Sequence, residues 1–300
     1  MVDFIQNNKD RYGVEAICRI LPIAASTYYR ALDLVDNPEH RAKRALHDLH
    51  HAEQIKRIWK ESLGRYGVRK VWQQLKREGY VIARCTVARL MQKLGIQGVW
   101  RGKNKQTTRS RDDQKRADDL VKRNFSADRP DQLWVSDFTY IQTNSGWVYT
   151  AFIIDVFSRA IVGWKVSTRM NTDMVLDALE QALHDRGMPK NVIHHSDRGV
   201  QYLSIRYTNR LEAANLRASV GTTGDSYDNA LAETVNGLYK TEVIEYLKAD
   251  WQGLADVQLA TLNWVDWFNK KRVHSALGYV SPFEFEAMYY DKINPLGQVA

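Results

Sequence analysis

The apolar period of this chain switches near Pro130, and that switch bounds what either part can fold into. Upstream, apolar residues recur at three- and four-residue spacing, as Val68, Val71, Trp72 and Leu75 do before Gly79 interrupts. Downstream they alternate. Over Trp134–Ile141 one side of a strand takes Val135, Asp137 and Thr139, and the other takes Trp134, Ser136, Phe138 and Tyr140. Helices are therefore expected first and a sheet second, in a chain whose 300 residues suit about two domains.

In the downstream part Asn144-Ser145-Gly146 supplies a turn, Trp147–Val156 a second strand, Phe157-Ser158-Arg159 a tight connection and Ala160–Ser167 a third strand. Connections this short require an antiparallel meander. A helix over Thr172–Arg186 follows, with Val175, Leu176, Leu179 and Leu183 on one face. Then come a short strand over Asn191–His195, a helix over Tyr207–Ala214, a strand near Ala218–Thr222, and helices from Asn229 and from Asp256. Three antiparallel strands followed by alternating helices and strands describe an α/β layered domain of the ribonuclease H type.

Charge divides at the same place. Residues 1–130 carry 28 basic and 15 acidic side chains, and residues 131–300 carry 15 and 20. A basic half points to a polyanion, nucleic acid first, or to a merely solvated basic surface. Within it, Val14–Leu21, a Pro-Ile-Ala-Ala break and a segment opened by Ser26-Thr27-Tyr28-Tyr29 read as helix-turn-helix or as part of a small bundle. The stronger reader follows Ile55–Ser62 and the Val68–Leu75 stretch. There Thr86 is expected to cap a helix whose buried face is Val87, Leu90, Met91 and Leu94. Its other face carries Arg89, Gln92 and Lys93, side-chain types that fork onto guanine or adenine in the major groove, or that simply solvate the helix. The expected division is a helical, helix-turn-helix DNA-binding region over 1–100 and a basic linker over 101–130, partly helical around Asp112–Arg123. An α/β core with a C-terminal helical extension over 131–290 and a tail over 291–300 complete it.

Cys18 and Cys85, the only cysteines, are too far apart for a CxxC half-site and read as buried, reduced thiols. His40, His47, His50 and His51 read as surface or packing residues. No signal-peptide h-region and no run of about 18 apolar residues is present, so a cytoplasmic protein without a membrane partner is expected.

Three carboxylates stand out. Asp137 lies inside an aromatic and β-branched strand, where an unpaired charge is costly, so it needs a cation, a donor network or an exposed strand end. Asp197 follows the short strand ending His194-His195-Ser196, at the carboxyl end where α/β sheets gather ligands, with Gly199 allowing a close turn behind it. Glu233 shares a helix face with Asn236 or Gly237 and with Lys240. Among competitors, Asp228 reads as a helix cap, Asp225 as a turn residue and Glu242 as solvated. Near the C-terminus Trp264, Trp267 and Phe268 read as core packing, and Lys270, Lys271 and Arg272, with His274, as candidate DNA contacts.

Asp137 in Trp-Val-Ser-Asp-Phe-Thr-Tyr, Asp197 in His-Ser-Asp-Arg-Gly and Glu233 in Tyr-Asp-Asn-Ala-Leu-Ala-Glu together resemble the acidic triad of the DDE transposase and retroviral integrase superfamily. The 35 residues between Asp197 and Glu233, with Lys240 seven beyond the glutamate, match the spacing of one branch. Trp267-Phe268-Asn269, the Arg272–Tyr279 run and Ser281-Pro282 resemble the closing segment of bacterial insertion-sequence transposases. Tyr66-Gly67-Val68-Arg69 and the Ile17–Tyr29 stretch are similar to the same family's second-frame (OrfB) product. The resemblance implies a ribonuclease H-like, integrase-type core behind an all-α helix-turn-helix region, with Arg69 among the DNA contacts. It implies metal-dependent cleavage and strand transfer by direct in-line transesterification. Asp137, Asp197 and Glu233 would hold two Mg²⁺ ions about 4 Å apart, with Mn²⁺ able to substitute. Lys240 would steady a terminal phosphate and Asn236 would orient DNA.

The implied partners are the element's terminal inverted repeats, target DNA, a second copy of the chain, and the upstream-frame (OrfA) protein or a fusion with it. No heptad run is present, so a first-frame portion is expected to be absent. The zinc module of retroviral integrases is not implied, since two distant cysteines cannot supply it. A ribonuclease H-like nuclease and a non-catalytic DNA-binding regulator derived from a transposase are the alternatives.

Overall fold

A computed structural model describes residues 1–100, 121, 125–197, 201–220, 230–247 and 250–293. Its first three helices, α1 (Val2–Tyr12), α2 (Val14–Ile20) and α3 (Ala25–Asp36), pack on one another around Ile5, Ile17 and Tyr28. Gly13, at φ 77°, turns α1 directly into α2, a conformation that favours glycine. Pro22 lies in the break before α3, where a missing amide does no harm.

The next three helices, α4 (Lys43–Glu61), α5 (Val68–Arg77) and α6 (Arg84–Lys93), bury Ile55, Ile58, Val71, Leu75, Val87, Leu90 and Met91. These are the residues at helical spacing. Gly79 ends α5 with φ 86°, as the interrupted pattern implies. Two local expectations fail. The N-cap of α6 is Ala83, whose carbonyl receives the Thr86 amide at 3.0 Å, so Thr86 sits in the first turn and caps nothing. Cys85 is exposed and Cys18 half-buried, both as free thiols: Cys85 follows the N-cap on the outer face of α6, away from Val87 and Leu90.

The sheet contains β1 (Leu133–Thr143), β2 (Gly146–Asp155), β3 (Ile161–Ser167), β4 (Ile193–Ser196) and β5 (Arg217–Val220), in the order β3-β2-β1-β4-β5. The two short turns make β1, β2 and β3 antiparallel. Crossing through α7 (Thr172–Asp185) and α8 (Ile205–Ala213) makes β4 parallel to both β1 and β5. Alternation then sorts the side chains. Trp134, Ala151, Ile153 and Val162 pack with Val175, Leu179 and Leu211 on one face. Val135, Phe152 and Ile154 pack on the other with Val235, Tyr239, Trp264 and Phe268. The latter come from α9 (Ala230–Tyr239) and α10 (Leu254–Lys270), and α11 (Pro282–Ile293) closes the described chain. Trp264, Trp267 and Phe268 are buried, as core packing requires.

Gly163 on β3 lies directly under α7: a Cβ there would collide with the Ala178 carbonyl and the Ala182 methyl. The free edge of β3 is covered by side chains. Asn269 pairs with both the amide and the carbonyl of Ile161 at 2.9 and 2.8 Å, and Gln181 accepts from the Trp164 amide at 2.8 Å. Buried Asp155 organises the β2–β3 turn by accepting from the Ser158 amide and hydroxyl and the Asp131 amide. No helix among the described residues is long and apolar enough to cross a membrane.

The α4–α6 unit and the sheet domain share one apolar cluster. Their junction is the turn between α4 and α5. Arg65 donates through Nε to the Glu242 carbonyl at 2.9 Å, and its guanidinium lies 4.7 Å from the Trp267 ring centroid. The Tyr66 hydroxyl accepts from the Val273 amide at 2.7 Å and donates to the Lys271 carbonyl at 3.1 Å. Arg77 Nη2 donates to both Glu284 carboxylate oxygens at 2.6 and 2.7 Å. Glu242, expected to be solvated, is buried beneath this junction. It accepts from Arg272 Nη2 at 2.6 Å and from Trp264 Nε1 at 3.1 Å.

Candidate active site

The topology delivers the first two carboxylates. In the parallel β1/β4 pair Ser136 stands opposite Ser196, so Asp137 comes next on β1 and Asp197 comes next just past the end of β4. This lies at the carboxyl end of the pair, between two strands whose connections leave in different directions. Helix α9 packs against β1 and brings Glu233 and, one turn on, Asn236. Asn236 donates Nδ2 to Asp137 Oδ2 at 2.9 Å, and the Phe138 amide donates to Asp137 Oδ1 at 2.8 Å.

The electrostatics agree with this placement. Desolvation, and then the charges of Asp197 and Glu233, hold the Asp137 carboxyl well above the ordinary carboxylate range, against the two hydrogen bonds that lower it. Lys240 opens a π-helical turn, Lys240–Glu245, that continues α9, the kind of irregularity often found at functional positions. Desolvation lowers its ammonium pKa and the Asp137 charge opposes that shift. The three carboxylates, Asn236 and Lys240 thus share one electrostatic neighbourhood.

The donor chemistry suits a hard divalent cation. The charges of Asp197 and Glu233 reach Asp137, and the buried Asn236 Oδ1 has no hydrogen-bond partner, an acceptor left over after its amide has gone to Asp137. As they stand, no three His, Cys, Asp or Glu side chains among the described residues are gathered closely enough to hold an ion. Gly199, Asp225, Asp228 and nearly all of 112–123 lie outside the described residues.

The expected DNA contacts are scattered. Arg89, Gln92 and Lys93 are exposed on α6, but Arg89 Nη2 donates to both Asp48 carboxylate oxygens at 2.8 and 2.9 Å. Arg69 is exposed, with its guanidinium 5.7 Å from the Tyr279 ring centroid. Lys270 pairs with Asp266 one turn back, and Lys271 is exposed. Arg272 is a correction. Only 6% of its side chain is exposed and its guanidinium is committed to Glu242, so it cannot meet a phosphate from this position. Nothing near Arg272 in the chain announces this, because its partner is 30 residues away. The helix-face pattern singles out Asn236 but not its partner Asp137, 99 residues distant.

Family models match three stretches of the chain. Residues 127–226 match the family model described as an integrase core domain, residues 214–282 match a second integrase core model, and residues 47–104 match an HTH-like domain. The transposase for insertion sequence element IS629 of Shigella sonnei is 52% identical over 293 residues, covering 98% of both chains. The transposase for IS3411 of Escherichia coli is 51% identical over 193 residues, 64% of this chain and 80% of that one. The HTLV-2 integrase catalytic core domain, solved in complex with magnesium, aligns with 54% of this chain and 99% of its own at 18% identity and a TM-score of 0.44.

Proposed function

The chain belongs to the insertion-sequence transposases that carry an integrase core, and from that premise we propose that Asp137, Asp197 and Glu233 form its reaction centre. As a transposase it binds DNA and acts in cutting and transferring DNA strands. The observation that supports the residue assignment is that the charges of Asp197, just past β4, and Glu233, on α9, both act on the desolvated Asp137 carboxyl of β1.

Integrase-type cores depend on metal ions in general, and Asp137, Asp197 and Glu233 would hold them here, two Mg²⁺ with Mn²⁺ as substitute. When bound, such ions activate an attacking oxygen and stabilise the leaving one in phosphoryl transfer. The protein's own groups do the rest. Asn236 and the Phe138 amide fix the Asp137 carboxylate through both of its oxygens. Lys240 lies close enough to Asp137 to feel its charge and would meet a phosphate bound there. In this reading water first attacks a phosphodiester at the element's end, and the freed 3′-hydroxyl then attacks a second strand in line. No side-chain nucleophile is needed.

Residues 1–100 would bind the terminal inverted repeats, with Arg69, Arg89, Gln92 and Lys93 as contacts, 101–130 would span, and 131–290 would cut and join. Arg89 would exchange Asp48 for DNA. Lys270 and Lys271 remain candidate contacts. Two ends must be held together, so the acting species would be at least a dimer, with the upstream-frame protein as a further partner.

The test is strand transfer on duplexes of the element's ends. Asp137→Asn, Asp197→Asn and Glu233→Gln should each abolish joining in Mg²⁺ while DNA binding persists. Full joining by any one of them removes that residue from the centre. Products that are nicked and never joined would favour a nuclease.

A further inference from the structure

The β1–β2 hairpin extends past Asp137 and carries two aromatic rings that the fold does not bury. Tyr140 and Trp147 are diagonal neighbours across the ladder, where Tyr140 faces Tyr149 and Gln142 faces Trp147. Their ring centroids are 5.3 Å apart, nearly perpendicular, and the residues are 44% and 49% exposed. Lys240 Nζ lies 4.6 Å from the Tyr140 centroid, so that ring already carries an ammonium and Trp147 is the ring left open.

The hairpin is fastened. The Asn144 amide donates to the Trp251 carbonyl at 2.8 Å, the Ser145 amide to the Gln252 carbonyl at 3.1 Å, and Asn144 Nδ2 to Asp250 at 2.8 Å. Rings on a fixed frame lose little freedom on binding. Tyr140 follows Asp137 by three residues, so the two side chains leave the strand on opposite faces. Lys240 joins them: its Nζ lies 4.6 Å from the Tyr140 centroid, and the Asp137 charge acts on its ammonium. A DNA strand whose phosphate sits beside Asp137 and Lys240 therefore runs on toward these rings.

We propose that Trp147, backed by Tyr140 and Lys240, is a stacking platform for an unpaired nucleobase of the DNA end. The proposal rests on the reading of Asp137, Asp197 and Glu233 as the reaction centre. A base stacks on an aromatic face whatever its identity, and a cation beside the ring takes the adjoining phosphate. The platform holds the strand end out of the duplex while its phosphodiester lies among the carboxylates.

The experiment is a binding cycle with the full chain in Ca²⁺. The probe is a duplex of the element's own end with a short single-stranded overhang, carrying an abasic site at each terminal position in turn. Trp147→Ala should weaken binding of the intact end about 5- to 150-fold, the range for one lost base-aromatic stack. An abasic site at one position should weaken the unsubstituted protein comparably, yet change binding to Trp147→Ala by less than about twofold. Trp147→Phe should keep most of the affinity and Trp147→Leu should lose it, which separates a flat ring from bulk. Additive losses at every position, or equal binding by Trp147→Leu, would overturn the platform. Strand transfer by the unsubstituted protein in Mg²⁺ is scored separately: joining without coupling sinks the platform alone, and coupling without joining sinks the reaction-centre reading.

Discussion

Replacing Arg272 with methionine tests whether the buried pair with Glu242 is a structural tie. The side chains are 6% and 8% exposed, and Glu242 has three charged or indole donors around it: Arg272 Nε at 3.1 Å, Nη2 at 2.6 Å and Trp264 Nε1 at 3.1 Å. Arg272→Met strands a buried carboxylate with one indole donor, and breaking a buried pair in this way costs about 3–5 kcal/mol. Glu242→Met in the same chain removes the stranded charge. The double variant should then recover all but about 1–3 kcal/mol, the cost of leaving the Trp264 indole without an acceptor. Denaturant unfolding followed by tryptophan fluorescence, with unchanged m, measures both steps. DNA binding against salt supplies a second reading. A lost phosphate contact lowers the slope of log K on log salt by about 0.9, whereas the double variant should leave it unchanged. A single-variant cost below about 1 kcal/mol, or a slope that falls with Arg272, would refute the tie.

Gly163→Ala should destabilise by about 1–3 kcal/mol, because the added methyl meets the backbone of α7, which cannot yield as a side chain would; an unchanged unfolding midpoint would mean α7 does not press on β3. His194 is buried against Tyr207, whose hydroxyl lies 3.1 Å from Nε2, and burial followed by the charge of His195 lowers its pKa to about 3. The folded state therefore keeps His194 neutral where the unfolded chain binds a proton. Its contribution is fully present above about pH 6.5 and is lost on acidification, by about 1.4 kcal/mol per pH unit between roughly pH 6 and 4. Subtracting the stability profile of His194→Asn from that of the unsubstituted chain isolates this slope, and parallel profiles would reject it.

The order of helices and strands was legible because period is a local property: Val68, Val71 and Leu75 announce α5, and Trp134–Ile141 announces β1, without reference to anything distant. Asp137 and Asp197 were legible for a related reason. A charge inside an apolar strand and a charge just beyond one are both visible in a few residues. What pairs with what was not. Glu242 and Arg272 look like any solvated charges on polar stretches, and only the packing of α10 against the end of α9 makes each the other's requirement. Arg89 has the chemistry of a base reader, yet Asp48 on α4 takes its Nη2. Thr86 is a good capping residue in a helix that starts two positions earlier, at Arg84. Tyr140 and Trp147 read as strand residues because alternation says nothing about whether a strand outruns the helices that cover it.

The junction at Arg65 and Tyr66 sets a length scale. With α4–α6 seated on the sheet domain through one apolar cluster, α6 and the carboxylates on β1, β4 and α9 belong to one body. With α6 as the proposed reader and Asp137 in the proposed reaction centre, such a body would act as a gauge: the phosphodiester that reaches Asp137 would be chosen by how far along the duplex it lies and which way the helical turn faces it.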